Sequence, residues 1–194
     1  MSKPVVWVLA GGNGSGKSTF YHTFLKPRGI PFINADVIAK EIAPGATDTA
    51  SYNAAILATY QRDGALKRHQ SFCYETVFSH DSKIDFLAMA MAAGYTINLV
   101  VIYLDEPSLN MARVAQRVSM GGHPVPEEKI EGRLPRTHHN LSIAVGLCDN
   151  VFVFNNSSSE QPYRKMITAR GGNITVHAHN LPEWVVALFP GAFQ

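Results

Sequence analysis

Val5-Val6-Trp7-Val8-Leu9-Ala10-Gly11-Gly12-Asn13-Gly14-Ser15-Gly16-Lys17-Ser18-Thr19-Phe20 is the stretch from which the rest of the chain can be read. A short apolar, β-branched run stops at Gly11-Gly12, which is the pattern of a buried strand. The next eight residues fit GxxxxGK(S/T) at every fixed position, and a helical pattern opens at Lys17. Strand, glycine loop and helix in that order are the context the motif needs. Glycines let the backbone turn so that successive N–H groups face inward as an anion nest. The helix starting near Gly16 adds its positive end. Lys17 carries a mobile charge to the outer phosphates, and the Ser18 hydroxyl is a ligand for Mg²⁺. Gly11, Gly12, Asn13, Gly14, Ser15, Gly16, Lys17, Ser18 and Thr19 are thus expected to hold the phosphates of ATP, or of GTP, with Mg²⁺.

Outward from this loop, strands alternate with helices. Ile30 to Ile33 reads as a second strand, which delivers Asn34-Ala35-Asp36 at its C-terminal end. A long helix follows from Asp48 to His69, after a turn at Pro44-Gly45. Ser71 to Val77, Thr96 to Leu104 and Asn150 to Phe154 are further strands, separated by helices over Ser82 to Ala93, Pro107 to Val118 and Glu127 to Val145. Strands apolar on both faces argue for a parallel sheet covered on both sides. The expectation is one α/β domain with a core over 4–155 and an appendage over 156–194. The appendage would contain a polar loop at Asn155 to Gln161 and a hairpin, Tyr163 to Thr168 and Asn173 to His177, turning at Gly171-Gly172, then a short helix from Pro182 to Leu188.

Composition agrees with this. At 194 residues, 46% hydrophobic and 16% charged, the chain can fill a core and is too weakly charged for disorder. A net charge of +2 gives no global attraction to nucleic acid or an anionic membrane. Cys73 and Cys148 sit in apolar stretches and read as buried reduced thiols of a cytoplasmic protein. The N-terminus shows no signal-peptide pattern, and the longest apolar run, Ile97 to Leu104, is too short to span a bilayer.

Two classes fit a phosphate loop: a phosphotransferase acting on a small molecule, and an NTPase working as a motor or switch. Val100-Val101-Ile102-Tyr103-Leu104-Asp105-Glu106 has the look of a Walker B segment, which favours the second class. Pro107 follows at once, however, and opens a helix carrying Arg113 and Arg117, so Asp105 or Glu106 also suits a helix start. Arg113 and Arg117 share one helix face. Gly121-Gly122-His123-Pro124 then makes a loop, and Arg133 and Arg136 lie on the next helix. Arginines on both arms of such a lid, over about 113–136, can stabilise charge on a transferring phosphoryl group. No guanine-reading Asn-Lys-x-Asp is present.

Asp36 lies just past the second strand, at the edge where open α/β sheets bind ligands. It suits a base for an acceptor hydroxyl, or a cap for the following helix. Glu75 and Thr76 end an apolar strand, where a carboxylate is expected to project into the cleft toward an acceptor, or to face solvent. His123 is a candidate phosphate contact. His138-His139 and His177-x-His179 lack the cysteines or acids that would complete a metal site and read as surface residues.

These segments together resemble the zeta-toxin-like P-loop kinases, and most closely their short stand-alone bacterial branch. The resemblance is carried by Ala10 to Thr19, Asn34-Ala35-Asp36, Glu75-Thr76 and the stretch from Arg113 through Gly121-Gly122-His123 to Arg136, within about residues 4–155. It implies a five-stranded parallel sheet of nucleotide-kinase type. It also implies ATP-dependent phosphorylation of a UDP-activated amino sugar, such as UDP-N-acetylglucosamine, on a sugar hydroxyl, and an antitoxin protein as partner. By the resemblance, Asp36 matches the catalytic aspartate, Glu75 a substrate-binding glutamate and Arg117 a lid arginine. The toxins carry a second lid arginine where Val118 to Glu128 has none, so Arg133 or Arg136 would substitute. Between Ala39 and Gly64 no family motif is recognisable.

Overall fold

Strand β4 (Thr96–Tyr103) is buried at every position but its first, because it runs through the middle of the sheet with a strand on each side. β1 (Val5–Ala10) pairs with it in parallel, Ala10 opposite Val101. β5 (Asn150–Asn155) pairs on its other edge, also in parallel. Asn98, a buried polar residue within β4, accepts a hydrogen bond of 2.8 Å from Asn150 Nδ2, its register partner. That pairing removes the cost of burying its amide. The molecule is described by a computed structural model over residues 3–42, 48–122, 124–190 and 193. The turn read at Pro44-Gly45, and His123, lie outside the described residues.

The sheet has seven strands in the order β2-β3-β1-β4-β5-β6-β7. β2 (Phe32–Ile33) and β3 (Phe72–Thr76) complete a parallel five, so that the C-terminal ends of β1 to β5 share one edge. Helices α2 (Ala35–Ile42), α3 (Asp48–Lys67), α4 (Ser82–Ala92) and α6 (Glu127–Ala144) bury side chains in a core with Val6, Val8, Leu99 and Val101. The opposite face packs Leu9, Val100 and Ile102 against Phe20, Tyr21 and Leu25. These last come from α1 (Lys17–Phe20) and the π-turn that continues it to Leu25. α5 (Pro107–Ser119) lies beyond β4, over the phosphate loop. Among the described residues no helix is long and apolar enough to cross a membrane.

The expectation of five strands is corrected by β6 (Arg164–Arg170) and β7 (Asn173–Val176), which extend the same sheet antiparallel from the edge of β5. The hairpin itself was legible: Gly171 and Gly172 sit at φ +52° and +83°, as a two-residue turn of this hand requires. Its placement was not, because nothing local says which edge a hairpin joins. Met166 and Ile167 are fully buried and belong to the main core, so this segment is integral to the sheet. α7 (Glu183–Ala187) closes the tail, with Val185 in the same core.

If the hairpin is integral, Ile167→Ala should cost about 2–5 kcal/mol, the range for truncating a buried branched residue. Denaturant unfolding of the two proteins measures this. A loss well under 1 kcal/mol would return the hairpin to the status of an appendage.

Candidate active site

The phosphate loop leaves β1 at Gly11 and enters α1 at Gly16, which sits at φ +100°. Gly11 lies so close to β4 that a Cβ there would be driven into the carbonyl oxygen of Ile102. Lys17 is 8% exposed, and its Nζ donates to the carbonyls of Gly11 (3.0 Å) and Gly12 (2.9 Å). Burial pushes its pKa below the ordinary lysine value, while the charges of Glu75 and Asp36 push it back up. Arg117 contributes a further lowering. Two carboxylates and an arginine that line the same cavity thus act on this ammonium, the balance a γ-phosphate would enter.

Glu75, at the end of β3, lies beside β1 because β3 pairs directly with it, Ala10 opposite Thr76. Its Oε2 accepts a hydrogen bond of 2.7 Å from Ser18 Oγ. A serine hydroxyl and a carboxylate are both hard oxygen donors, which is the donor set Mg²⁺ takes. Ser18 can ligate the ion directly, with Glu75 orienting one of its waters. Thr76 instead closes a turn, its Oγ1 accepting from the Phe78 amide at 2.9 Å.

Asp36 occupies the first turn of α2. It is not the cap: Asn34 is, its Oδ1 accepting from the amides of Asp36 (2.7 Å) and Val37 (3.3 Å). With the helix start satisfied by Asn34, the Asp36 carboxylate faces a cavity of about 420 Å³ shared with Lys17, Ser18, Glu75, Arg113 and Arg117. A second cavity of about 1020 Å³ extends from Ser18 and Thr19 past α2 and the lid to Tyr163. Arg113 and Arg117 line both. Gly121 at φ +83° ends α5, with the Gly122 amide donating to Arg117 O at 2.9 Å, so the lid loop turns directly over that arginine.

The other arginines are placed differently. Arg133 Nη1 is 3.5 Å from Asn13 Oδ1, a long contact to the loop, and Arg136 is exposed and lines neither cavity. Asp105 and Glu106 serve the chain path. Asp105 Oδ1 accepts from Asn155 Nδ2 (2.8 Å), its amide donates to Ser157 Oγ (2.8 Å), and Glu106 is the N-cap of α5. His138 stacks on Trp184 at 4.1 Å between ring centroids, and burial lowers its pKa. His177 Nε2 lies 3.0 Å from Thr168 Oγ1.

Three residues that touch the loop were not singled out from sequence. Asn110 Nδ2 donates to Asn13 O at 2.6 Å, and Asn156 Nδ2 donates to Ser15 O at 2.8 Å. Tyr163 OH donates to Gly16 O at 2.9 Å. No local signal in the sequence marks them: Asn110 and Asn156 are amides buried to 3% and 6% exposure, which need partners, but that burial is set by the fold.

A GxxxxGKS loop between strand and helix, on a mostly parallel sheet flanked by helices, defines a P-loop protein of kinase-like fold. The chain belongs to the AAA domain family AAA_33, whose profile matches residues 6–136. It is 31% identical over 140 residues to an uncharacterized protein of Haemophilus influenzae, covering 69% of this chain and 99% of that one. Among solved structures, it resembles a chain of the native AvrRxo1-ORF1:-ORF2 complex, with a TM-score of 0.75 and 17% identity over 97% of this chain and 65% of that chain. The same complex with ATP matches at a TM-score of 0.61 and 17% identity, over 90% of this chain and 61% of that one. The present chain thus spans a little under two thirds of those longer proteins. A chain of the PezAT chromosomal toxin-antitoxin system of Streptococcus pneumoniae matches with a TM-score of 0.65 and 13% identity, over 85% of this chain and 72% of that one. At such identities the likeness is one of fold.

Glu75→Gln separates the two roles open to this carboxylate. If it orients a metal-bound water, the Mg²⁺ needed for half-maximal activity should rise about 10–100-fold, the usual cost of losing an outer-shell partner. An unchanged Mg²⁺ requirement with a raised acceptor KM would assign Glu75 to the acceptor instead.

Proposed function

We propose that this protein is an ATP-dependent kinase that transfers the γ-phosphate to a hydroxyl of a small acceptor, with a UDP-activated amino sugar as the acceptor class. The observation that carries the reading is Asp36, a carboxylate relieved of helix capping by Asn34 and facing the same cavity as Lys17, Ser18 and Arg117. A carboxylate so placed can take the proton of an acceptor hydroxyl as its oxygen attacks.

In the transfer, the acceptor oxygen forms a bond to the γ-phosphorus as the bond to the β–γ bridging oxygen breaks. The acceptor proton passes to the Asp36 carboxylate, and ADP leaves. Lys17 and Arg117 face the equatorial oxygens, where charge is spread in the transition state, and the loop amides hold the β-phosphate. Ser18, with Glu75 beside it, would hold a Mg²⁺ ion, which when bound would supply neutralisation of phosphate charge. Arg113 flanks the same space from one helical turn earlier. The larger cavity, about 1020 Å³, is at the upper end of ordinary ligand sites, which suits a nucleotide and an acceptor held together.

The amino-sugar acceptor is supported by the resemblance of Asn34-Ala35-Asp36 and Glu75-Thr76 to the zeta-toxin-like kinases. An antitoxin-like protein partner is proposed on the same ground, alongside the likeness in fold to members of the AvrRxo1-ORF1:-ORF2 and PezAT assemblies. The free thiols suit a cytoplasmic location. One contact favours a second reading, a kinase for another hydroxylated or nucleotide acceptor: Glu75 is bonded to Ser18, leaving its acceptor role unfilled.

Asp36→Asn tests the proposal, because the amide keeps the shape and hydrogen bonds but takes no proton at neutral pH. ATP affinity should persist while transfer falls by about 10²–10⁴. Transfer above about a tenth of the wild-type rate, with ATP binding intact, would remove Asp36 from the chemistry.

A further inference from the structure

The segment after β5 returns across the phosphate loop. Asn156 is fixed first: its amide donates to Tyr103 O at 2.9 Å, and its Oδ1 accepts from the Tyr163 amide at 3.1 Å. Its remaining donor, Nδ2, goes to Ser15 O, and the Tyr163 hydroxyl goes to Gly16 O. Tyr163 holds φ +54°, a region that residues with a side chain rarely adopt. Its ring meets Phe20 and Phe24 edge-on, with centroids 5.4 Å and 5.7 Å away. A strained, over-determined backbone of this kind points to a task at that position.

We infer that Asn156 and Tyr163 are positioning residues that aim the phosphate-binding amides of the loop. A peptide unit is planar and trans, so its C=O and the next residue's N–H point in opposite directions. Ser15 O shares a plane with the Gly16 amide, and Gly16 O shares one with the Lys17 amide. Pulling both carbonyls toward 156–163 turns both amides into the nest. The arrangement also requires glycine at position 16, since a Cβ there would come within 2.5 Å of Asn156 Nδ2 and 3.0 Å of the Tyr163 hydroxyl. The strap lies outside residues 6–136, the part of the chain that carries the family match. The β6–β7 hairpin that follows Tyr163 anchors it to the sheet.

The inference rests on the reading of this site as a nucleotide site, and its test keeps the two apart. Tyr163→Phe removes one hydroxyl and keeps the ring packing. Binding of ATP and of inorganic tripolyphosphate is measured by calorimetry or competition, with unfolding followed on the same preparations. Both ligands should lose about three- to tenfold in affinity, and by the same factor, because the base plays no part. Asn156→Ala, which cuts two of the bonds, should lose more. A merely structural role would lower the unfolding midpoint and leave the affinity of the folded protein alone. Loss for ATP without loss for tripolyphosphate would make Tyr163 a base contact and overturn the inference. So would unchanged affinity for both, or a wild-type protein that binds ATP but not tripolyphosphate. Wild-type protein that binds neither ligand fails the nucleotide reading itself.

Discussion

A loop that turns its N–H groups inward to meet phosphate turns its carbonyls outward, and buried carbonyls need donors. This chain supplies them from all around the loop. Lys17 serves Gly11 and Gly12, Asn110 serves Asn13, Asn156 serves Ser15, and Tyr163 with the Phe20 amide serves Gly16. The donors come from α1, from α5 and from the strap behind β5. The nest is therefore shaped from outside as much as by its glycines, and elements far apart in sequence must be in place before it exists. Phosphate entering the site finds amides already oriented, which lowers the ordering cost of binding.

The sheet explains how these elements meet. Parallel strands put all their C-terminal ends on one edge, so Asp36 after β2, Glu75 at the end of β3 and the loop after β1 converge without any long excursion of the chain. The order matters in detail. Because β3 neighbours β1 directly, Glu75 reaches Ser18, whereas Asp105 after β4 is occupied by Asn155 and Ser157. A sequence resembling Walker B thus ends in a turn that fixes the β4–α5 corner, and the acid bonded to Ser18 comes from the other side. Lys17 feels both arrangements: burial lowers its pKa, and the acids on the β2–β3 side hold it up.

Much of the fold could be read from periodicity. The phosphate loop, the apolar run of β4 and the Gly171-Gly172 turn each carry a local signal with a physical cause. The count of strands could not be read that way, since the pairing of β6 with β5 is decided by burial of Met166 and Ile167 against a distant core. Asp36 was legible as the residue beyond a strand, but its freedom from capping depended on which neighbour took the helix N-terminus, and Asn34 took it. The lid arginines divide for a similar reason. Arg113 and Arg117 lie on the face of α5 over the loop, while Arg136 is exposed on α6 despite equivalent spacing, because helical spacing sets a shared face and not which way that face turns. Asn156 and Tyr163 stood in what read as a polar loop and a strand start, and their role exists only across some 140 residues of chain.

The central claim is that phosphate leaves ATP for the hydroxyl of an acceptor. It is tested most directly by incubating the protein with γ-labelled ATP, Mg²⁺ and a panel of hydroxylated metabolites that includes UDP-N-acetylglucosamine, then separating the labelled products. Label should appear on one acceptor and none on the others, formed only when that acceptor is present. Release of labelled inorganic phosphate alone, at a rate indifferent to every acceptor, would contradict it and mark the protein as a nucleotide-dependent switch or ATPase.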